Sequence, residues 1–323
     1  MRVLLLCLIV GCARGRADTA ADLRLPPGNH DLALRVDGRT RRYIAHLPPH
    51  ARAGAPLPVV IVLHGGGGSG RGMQPMVRTD GLADREGFIV VYPDGTGRWG
   101  RRLLTWNAGS CCGYARDRQV DDVGFIRALL DDLSRRTPVD TRRVYATGLS
   151  NGGMMAYRLG AEAGDRIAAI APVSGGTVVD SLRSPRPIPI LHIHSVDDPR
   201  ALYGGGLGPP FPYTNARVMH PHMDSVIARW VAFDRCPREP NVGETVRGRP
   251  GTPAATHTAT PHVYGPCAAG SEVVLLKLTG AGHVWPGAAE QSWQEHVGAA
   301  TDVIDANTVI WRFFQRFSLP AQP

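Results

Sequence analysis

One stretch decides the fold of this 323-residue chain: Gly148-Leu149-Ser150-Asn151-Gly152. A β-prone run, residues 142–147, leads into this G-x-S-x-G pentapeptide, and a run rich in Met, Ala and Leu follows it at residues 153–159. The order strand, G-x-S-x-G, helix predicts a nucleophile elbow, a sharp turn that leaves Ser150 exposed at the end of its strand. The alternative is an ordinary glycine-rich turn, and the flanking sequence favours the elbow.

Apolar runs on both sides of the elbow predict a parallel sheet. Continuous apolar runs are typical of strands buried on both faces of such a sheet. Besides the run before the elbow, they occur at residues 57–63, 88–93, 167–173, 188–194 and 273–278. Residues 42–48 alternate like a first, partly exposed strand. Because helical stretches separate these runs, the sequence predicts an α/β protein with a mostly parallel sheet covered by helices on both faces.

Three further segments are predicted to be helical. Residues 71–87 are polar and mixed, which indicates a short helix. Residues 120–136 carry apolar side chains at helical spacing, so an amphipathic helix is expected there. Residues 303–317 predict a closing helix whose aromatic side chains, Trp311 and Phe314, lie in the core.

The N-terminus has the pattern of an export signal. Residues 3–12 follow Met-Arg and are mostly apolar, but the run is too short to span a bilayer. Small residues before Ala17 predict cleavage after that position, which makes residues 1–17 a signal peptide. Alternatively, Ile9-Val10-Gly11-Cys12 resembles a bacterial lipobox, in which the signal ends before Cys12 and the cysteine carries a lipid. The protein is thus expected to be secreted or periplasmic, or lipid-anchored at Cys12.

Residues 18–323 are predicted to form a single catalytic domain, since no repeat or clear linker divides them. The protein is expected to be a monomer. Residues 199–222 and 237–266 are expected to be irregular loop insertions.

The net charge of +8 comes almost wholly from arginine, with Lys277 the only lysine. The basic residues are scattered along the chain, which argues against a nucleic-acid partner.

Four cysteines follow the predicted signal. An even number in an exported protein suggests disulfides. The segment between Cys236 and Cys267 is rich in Pro, Gly and Thr and looks unable to hold itself in place, so a bridge between these two cysteines is the simplest pairing. Cys111 and Cys112 are adjacent and could form a vicinal disulfide or remain thiols, and the sequence leaves both open.

A serine nucleophile needs a neighbouring base, which is itself held by a third group. His283 follows the last predicted strand in a glycine-rich loop able to approach the serine, the alternative being a surface loop histidine. The orienting acid is expected after the 188–194 strand, where Asp197 and Asp198 stand side by side. Ser150, an aspartate and His283 then follow the chain order of α/β-hydrolases.

The oxyanion formed by attack of Ser150 requires N–H donors held in place. One is expected to be the backbone of Asn151, and the other that of Gly66 in His64-Gly65-Gly66-Gly67-Gly68-Ser69-Gly70. A phosphate-binding loop is the rival interpretation, but the Gly-Lys-Ser/Thr ending is missing. The pair of histidines in His220-Pro221-His222 has no evident third ligand, so neither a metal nor a cofactor is predicted.

Several blocks of sequence carry a resemblance to a known family. They are His64-Gly65-Gly66, Trp106-Asn107-Ala108-Gly109, Cys111-Cys112-Gly113, Val120-Asp121-Asp122-Val123-Gly124-Phe125-Ile126, Gly148-Leu149-Ser150-Asn151-Gly152-Gly153-Met154 and Gly282-His283-Val284-Trp285-Pro286-Gly287. In this order they resemble the polyhydroxybutyrate depolymerase and feruloyl esterase family of α/β-hydrolases. The resemblance runs from about residue 40 to the C-terminus.

This resemblance implies an α/β-hydrolase fold, a serine esterase activity and a disulfide between Cys236 and Cys267. In the family the acid follows a His-Gly-Thr-x-Asp pattern. Here the corresponding stretch reads His194-Ser195-Val196-Asp197-Asp198, which aligns the acid with Asp198 and keeps Asp197 as an alternative. Residues 206–222 are longer than expected for the family and are predicted to border the acyl or alcohol pocket.

The resulting hypothesis is a secreted serine esterase that forms an acyl-enzyme on Ser150 and hydrolyses it with water activated by His283. An acyltransferase of the same fold would use the same three residues. A non-catalytic surface protein on this scaffold would be expected to lack one of them, and none is missing. Trp285 and Trp106 are candidates for the pocket wall, with plain packing as the alternative. The substrate is expected to be a small or oligomeric ester.

Overall fold

The structure is a computed structural model, and it describes residues 25–49, 51, 54–211, 215–288 and 294–321. The predicted signal, residues 1–17 with Cys12, lies outside the described residues and stays a prediction. The described part of the chain forms one 11-stranded sheet with two smaller two-stranded sheets beside it.

The strands and helices alternate along most of the chain. The strands are β1 (Gly28–Val36), β2 (Arg39–Leu47), β3 (Leu57–Leu63), β4 (Ile89–Pro93), β5 (Thr96–Gly97), β6 (Gly100–Thr105), β7 (Val139–Leu149), β8 (Ala169–Val173), β9 (Ile190–Ser195), β10 (Gly206–Leu207), β11 (Met219–His220), β12 (Asn241–Val242), β13 (Val246–Arg247), β14 (Thr258–Tyr264) and β15 (Val273–Thr279). The helices are α1 (Gly70–Val77), α2 (Thr79–Glu86), α3 (Gly113–Asp117), α4 (Asp122–Arg136), α5 (Asn151–Glu162), α6 (Met223–Phe233), α7 (Gln294–Val297) and α8 (Ala306–Phe314).

The main sheet is parallel at its centre and antiparallel at its edges. Its strand order is β1-β2-β4-β3-β7-β8-β9-β15-β14-β12, with β13 paired to β14. Neighbouring strands from β4 to β15 in this order run parallel, and the pairs outside that range are antiparallel. The predicted mostly parallel sheet is confirmed. Its parallel strands end at one common edge, where ligands of α/β proteins bind.

The hydrophobic core lies on both faces of this sheet because successive residues of a strand point to opposite faces. In β3, Ile61 belongs to the cluster that includes buried residues of α4, α5 and α6. Val60 and Val62 belong to the other cluster, which includes Trp311 and Phe314 of α8. The predicted burial of this aromatic helix face is confirmed.

The strand before residue 42 was missed by the prediction, which placed the first strand at residues 42–48. β1 is exposed on alternate residues, and its inward side chains, Leu32 and Leu34 among them, pack against the core. It pairs along its whole length with β2. Because β1 is the edge strand, the following strand is inner and more buried than predicted, with the stretch from Tyr43 to Leu47 fully buried.

Two other predictions about local structure were also wrong. The segment 237–266 is not irregular throughout, since β14 within it pairs with seven residues of β15. β14 is half-buried and rich in threonine, so pairing with β15 rather than burial of apolar side chains stabilises it. Residues 71–87 form two helices instead of one, because Arg78 between α1 and α2 adopts a left-handed conformation with φ of 57°.

The predicted disulfide between Cys236 and Cys267 is present, with a sulfur–sulfur distance of 1.99 Å. It joins the end of α6 to the segment that leads into β15, the strand before His283. The sequence left Cys111 and Cys112 open, and in the structure their sulfurs are bonded to each other across a cis peptide bond. Both residues are buried.

We expect the Cys236→Ser, Cys267→Ser double variant to lose about 2 to 5 kcal/mol in the free energy of unfolding. The bridge closes a sequence separation of 31 residues, and such a loop gains conformational entropy in the unfolded chain when it is opened. Urea unfolding of oxidised wild type and of the variant measures the difference. A difference below about 1 kcal/mol would contradict a stabilising role, and a mass-spectrometric link from either cysteine to Cys111 would contradict the pairing.

Candidate active site

Ser150 lies at a sharp turn between β7 and α5, as the nucleophile elbow requires. Its φ of 59° and ψ of −120° are unfavourable for a residue with a side chain, and such strain is characteristic of functional turns. A Cβ atom placed on Gly148 would lie 2.6 Å from the carbonyl oxygen of Leu63, and one on Gly152 would collide with the same oxygen. The two glycines therefore allow β3 and the elbow to approach closely enough for the turn to form.

His283 and Asp198 are hydrogen-bonded to each other at the same edge of the sheet. Asp198 follows β9 and His283 follows β15, and the Nδ1 of His283 lies 2.8 Å from Oδ2 of Asp198. The other carboxylate oxygen, Oδ1, accepts hydrogen bonds of 2.8 Å from the backbone N–H groups of Arg200 and Ala201. Burial raises the pKa of Asp198, but attraction to His283 and hydrogen bonds from His194 and His283 outweigh it and hold this pKa well below its usual range. Asp198 is therefore a buried carboxylate.

Asp197 is placed differently from its neighbour. It is exposed, and its Oδ2 accepts a hydrogen bond of 2.7 Å from the backbone N–H of Gly280. Gly280 begins the loop that carries His283. Of the two aspartates, the structure brings Asp198 to the imidazole and uses Asp197 to hold the loop.

The Ser150 hydroxyl and the His283 imidazole, both in the described part of the chain, are not hydrogen-bonded to each other. Their strands, β7 and β15, are separated in the sheet by β8 and β9. Catalytic hydrogen bonds are often long in the absence of substrate and shorten when it binds. The structure thus places a hydrogen-bonded Asp198–His283 pair and a separate serine, Ser150, at one sheet edge.

The glycine-rich loop after β3 passes beside Ser150. A Cβ atom placed on Gly65 would lie 3.6 Å from Cβ of Ser150, and one on Gly66 would lie 3.6 Å from Cβ of Asn151. The N–H groups of Gly67 and Gly68 already donate to the backbone oxygens of Leu104 and Gly65. Gly66 and Asn151, the latter at the N-terminus of α5, are the two predicted donors that this placement brings together.

The side chain of Asn151 has a role that the sequence analysis missed. Its Oδ1 accepts a hydrogen bond of 2.8 Å from the backbone N–H of Trp106, and its Nδ2 donates one of 3.1 Å to the Trp106 carbonyl. The indole N–H of Trp106 donates to the carbonyl of His64. Trp106 thus connects Asn151, the residue after Ser150, to the glycine-rich loop. In the sequence, only the asparagine after the serine of the pentapeptide indicated these contacts with the backbone of Trp106.

The side chain of His64 holds the beginning of the glycine-rich loop by hydrogen bonds. Its imidazole ring has one defined tautomer. Its Nε2 accepts a hydrogen bond from the backbone N–H of Gly95, so its Nδ1 carries the hydrogen and donates to the carbonyl of Gly65 at 2.7 Å. Burial lowers the pKa of His64 to about 4, which keeps the ring neutral at ordinary pH. The ring therefore donates to one side of the loop and accepts from the neighbouring turn.

The two candidate pocket tryptophans are both buried. Trp106 is 0% exposed and Trp285 is 2% exposed, and Trp285 belongs to the hydrophobic cluster that includes α8. This burial favours packing and support of the site over a direct wall for the substrate. Among the described residues, no group of three or more His, Cys, Asp or Glu side chains is arranged to hold a metal ion.

Phe211, in the stretch 206–222 that was predicted to border the pocket, lies beside the glycine-rich loop. The ring of Phe211 lies 3.5 Å from a Cβ atom placed on Gly66. β10 and β11 within this insertion pair Leu207 with Met219, and both side chains are exposed. Leu103 lies near the same loop, 3.8 Å from a Cβ atom placed on Gly67. The apolar side chains of Phe211 and Leu103 thus lie beside the predicted oxyanion loop.

Comparison with known proteins identifies the chain. Residues 41–236 match the family model described as esterase PHB depolymerase. The chain belongs to this esterase family. The resemblance stated from the sequence blocks is therefore confirmed. The match includes Ser150 and Asp198 but ends before His283, whose place in the site follows from its contact with Asp198.

The relatives of this family member are named as esterases. A putative esterase NocK from Nocardia uniformis subsp. tsuyamanensis is 34% identical over 260 residues, which cover 78% of this chain and 72% of the relative. The feruloyl esterase B of Piromyces equi is 29% identical over 78% of this chain and 44% of its own length. A bifunctional acetylxylan esterase/xylanase from Neocallimastix patriciarum is 27% identical over 77% of this chain. The chain spans only 32% of that bifunctional enzyme.

The fold is shared with a solved esterase structure. The acetyl xylan esterase from Aspergillus awamori superimposes with a TM-score of 0.54, at 16% sequence identity, over 80% of this chain and 94% of that one. At this identity the likeness establishes the fold alone. The predicted α/β-hydrolase fold is confirmed. In the described part of this family member, no helix is long and apolar enough to cross a membrane.

Proposed function

We propose that this chain is an exported serine carboxylic-ester hydrolase in which Ser150 is the nucleophile, His283 the general base and Asp198 the residue that orients the base. One observation carries the proposal: the buried 2.8 Å hydrogen bond between Asp198 and His283 at the sheet edge where the strained Ser150 elbow also stands. Membership in an esterase family supports the same reaction class. The catalytic unit proposed is residues 18–323, acting as a monomer without a metal or cofactor.

In the first half of the reaction, Ser150 Oγ attacks the ester carbonyl carbon while Nε2 of His283 accepts the serine proton. The negative charge that develops on the carbonyl oxygen is stabilised by the backbone N–H groups of Gly66 and Asn151. The tetrahedral intermediate then breaks its bond to the alcohol oxygen, which receives the proton from His283. An acyl-enzyme on Ser150 and a free alcohol result.

In the second half, a water molecule replaces the alcohol. His283 accepts a proton from this water as its oxygen attacks the acyl carbon, and the same two N–H groups bind the oxyanion. When the intermediate collapses, the proton returns to Ser150 Oγ and the carboxylic acid leaves. The ionised Asp198 keeps Nδ1 of His283 protonated throughout, so that Nε2 can exchange the proton.

The proposed substrates are soluble esters of small molecules or oligomers. The apolar side chains beside the glycine-rich loop, Phe211 and Leu103, are suited to contact an apolar acyl or alcohol group. Relatives are named for feruloyl and acetylxylan esters, so these acyl groups are the first to test, together with 3-hydroxybutyryl oligomers. The disulfide between Cys236 and Cys267 supports export to an oxidising compartment.

The test is to identify the residue that a fluorophosphonate modifies. We expect one equivalent to react with the wild-type protein, and peptide mass spectrometry to place the adduct on Ser150. A panel of p-nitrophenyl acetate, methyl ferulate and 3-hydroxybutyrate oligomers then ranks the acyl groups. Modification elsewhere, or activity on no ester, would contradict the proposal and favour the non-catalytic alternative. Ester products formed in preference to acid when an alcohol is added would indicate an acyltransferase.

A further inference from the structure

Three buried side chains, those of Tyr157, His192 and His194, are joined by hydrogen bonds and lead from α5 to the neighbourhood of the Asp198 carboxylate. The hydroxyl of Tyr157 lies 3.1 Å from Nδ1 of His192, and Nε2 of His192 lies 3.1 Å from Nδ1 of His194. Nε2 of His194 lies 3.3 Å from Oδ2 of Asp198 and 2.8 Å from the carbonyl oxygen of Ala201. The exposed fractions of Tyr157, His192, His194 and Asp198 are 0%, 0%, 1% and 3%. The sequence analysis treated both histidines only as residues of a buried strand.

The acceptors at one end of this series of side chains determine the direction of its hydrogen bonds. The carbonyl of Ala201 and the carboxylate of Asp198 only accept, so Nε2 of His194 carries a hydrogen. A neutral imidazole carries one hydrogen, so with that hydrogen on Nε2 the Nδ1 of His194 accepts from Nε2 of His192. Nδ1 of His192 in turn accepts from the hydroxyl of Tyr157. In each of these hydrogen bonds the donor is then the residue farther from Asp198.

The environment of the two residues farthest from Asp198 agrees with this assignment. Burial lowers the pKa of His192 well below its usual value, and the neighbouring His194 lowers it further, so His192 is neutral. Burial raises the pKa of Tyr157 well above its usual value, so its hydroxyl keeps its proton and can donate.

We propose that His194 is a positioning residue for Asp198: its Nε2–H, which donates to the carbonyl of Ala201 at 2.8 Å, also faces Oδ2 of Asp198 at 3.3 Å, the oxygen that accepts from His283. Tyr157 and His192 select the tautomer of His194 that makes this donation. The inference rests on the proposed triad and deepens it. Oδ1 accepts from two backbone N–H groups, and Oδ2 accepts from His283 and has Nε2 of His194 3.3 Å away.

Two consequences follow for catalysis. The carboxylate plane is fixed, which aims the ring of His283. In addition, a carboxylate that shares its charge with a second donor attracts the His283 proton less strongly. The proposal therefore predicts that removal of the His194 N–H strengthens the attraction of Asp198 for the His283 proton.

Other groups near this pair must be considered in a pH experiment. His220, on the insertion, and Arg200 interact electrostatically with the site. Burial and the electrostatic interaction with His283 lower the pKa of His220 to about 4. Arg200 stays charged, and Asp197 is engaged with the backbone of Gly280. These groups are unchanged in the variants below.

The experiment measures the rate of fluorophosphonate reaction at Ser150 as a function of pH, because this rate requires unprotonated His283 and no substrate pocket. In this pH–rate profile, the acidic limb is the pH range in which the rate rises as His283 loses its proton. In His194→Leu we expect this limb to move up by about half a pH unit or more, since the carboxylate of Asp198 loses the nearby N–H of His194. We also expect a loss of about 10- to 100-fold in kcat on p-nitrophenyl acetate. His194→Gln keeps an N–H at the distance of Nε2 and should return the limb most of the way to its wild-type position.

Matched variants separate this role from a structural one. His46 also lies in a strand with both ring nitrogens hydrogen-bonded, to Asn29 and Asp84, but on the far side of the sheet. His46→Leu should lower thermal stability without moving the limb. Tyr157→Phe, which frees His192 to change tautomer, should move the limb in the same direction by a smaller amount, and this variant decides the question if His194→Leu does not fold.

The outcomes for the two proposals are distinct. A wild-type protein that does not react at Ser150 refutes the proposed function itself. In the second case the wild-type protein reacts, but the acidic limbs of the folded variants at positions 194 and 157 coincide with that of the wild type. This result overturns the assignment of His194 and leaves the triad intact. A limb that moves equally in His46→Leu also overturns it.

Discussion

Ser150→Ala and His283→Ala should each lower kcat on p-nitrophenyl acetate by at least about 10³-fold while the protein remains folded. Alanine at position 150 removes the oxygen that forms the acyl-enzyme. Alanine at position 283 removes the group that accepts its proton and that Asp198 holds at 2.8 Å. Because the two residues act as one unit, their effects should not multiply. The kcat of the double variant should be at most about tenfold below that of the less active single variant.

The matched control for the nucleophile is Ser134→Ala. Ser134 lies on α4, away from the elbow, and its hydroxyl donates only to a backbone carbonyl of its own helix, that of Leu130. Its loss should leave kcat within twofold of wild type, about the scatter of such assays. Activity of Ser150→Ala or His283→Ala within tenfold of wild type, with contaminating esterase excluded by fluorophosphonate labelling, would refute the assignment of that residue.

Asp198→Asn should cost about 10³- to 10⁴-fold in kcat, far more than Asp197→Asn. The backbone N–H groups of Arg200 and Ala201 occupy Oδ1, so the amide oxygen of an asparagine would take that position. Its NH₂ group would then face His283, whose Nδ1 would have to accept instead of donate. The proton would move to Nε2, and the imidazole could no longer act as a base toward Ser150.

Asp197→Asn is the matched control because it changes the same functional group one position earlier. An asparagine oxygen can still accept from the N–H of Gly280, the contact that Asp197 makes. We therefore expect kcat to stay within about fivefold of wild type, the effect of a neutral substitution at a hydrogen-bonded surface site. If Asp197→Asn proves the more damaging substitution, the orienting role belongs to Asp197.

The sequence alone determined the central sheet and the position of the candidate site along the chain. Continuous apolar runs predicted β3, β4, β8, β9 and β15, because a strand buried on both faces must be apolar on both. Ser150, Asp198 and His283 each follow such a run. Since parallel strands end at one edge, the sequence predicted that these side chains converge.

Only the tertiary structure decided which neighbours stabilise the less apolar segments. β1 and β14 are half-exposed strands that were not predicted, because each depends on pairing with β2 or β15 and not on its own hydrophobicity. The choice between Asp197 and Asp198 depended on the same level of organisation. Adjacent aspartates look alike in the sequence, but one turned toward Gly280 and the other toward His283.

The supporting contacts of the site were hidden for the same physical reason. The side chain of Asn151 binds the backbone of Trp106, 45 residues away. Tyr157 reaches His192 across a separation of 35 residues. Local periodicity reports which face of a strand or helix is buried, because that depends on the spacing of side chains along one segment. It does not report the partner of a buried polar group, which is set by how separate segments pack together.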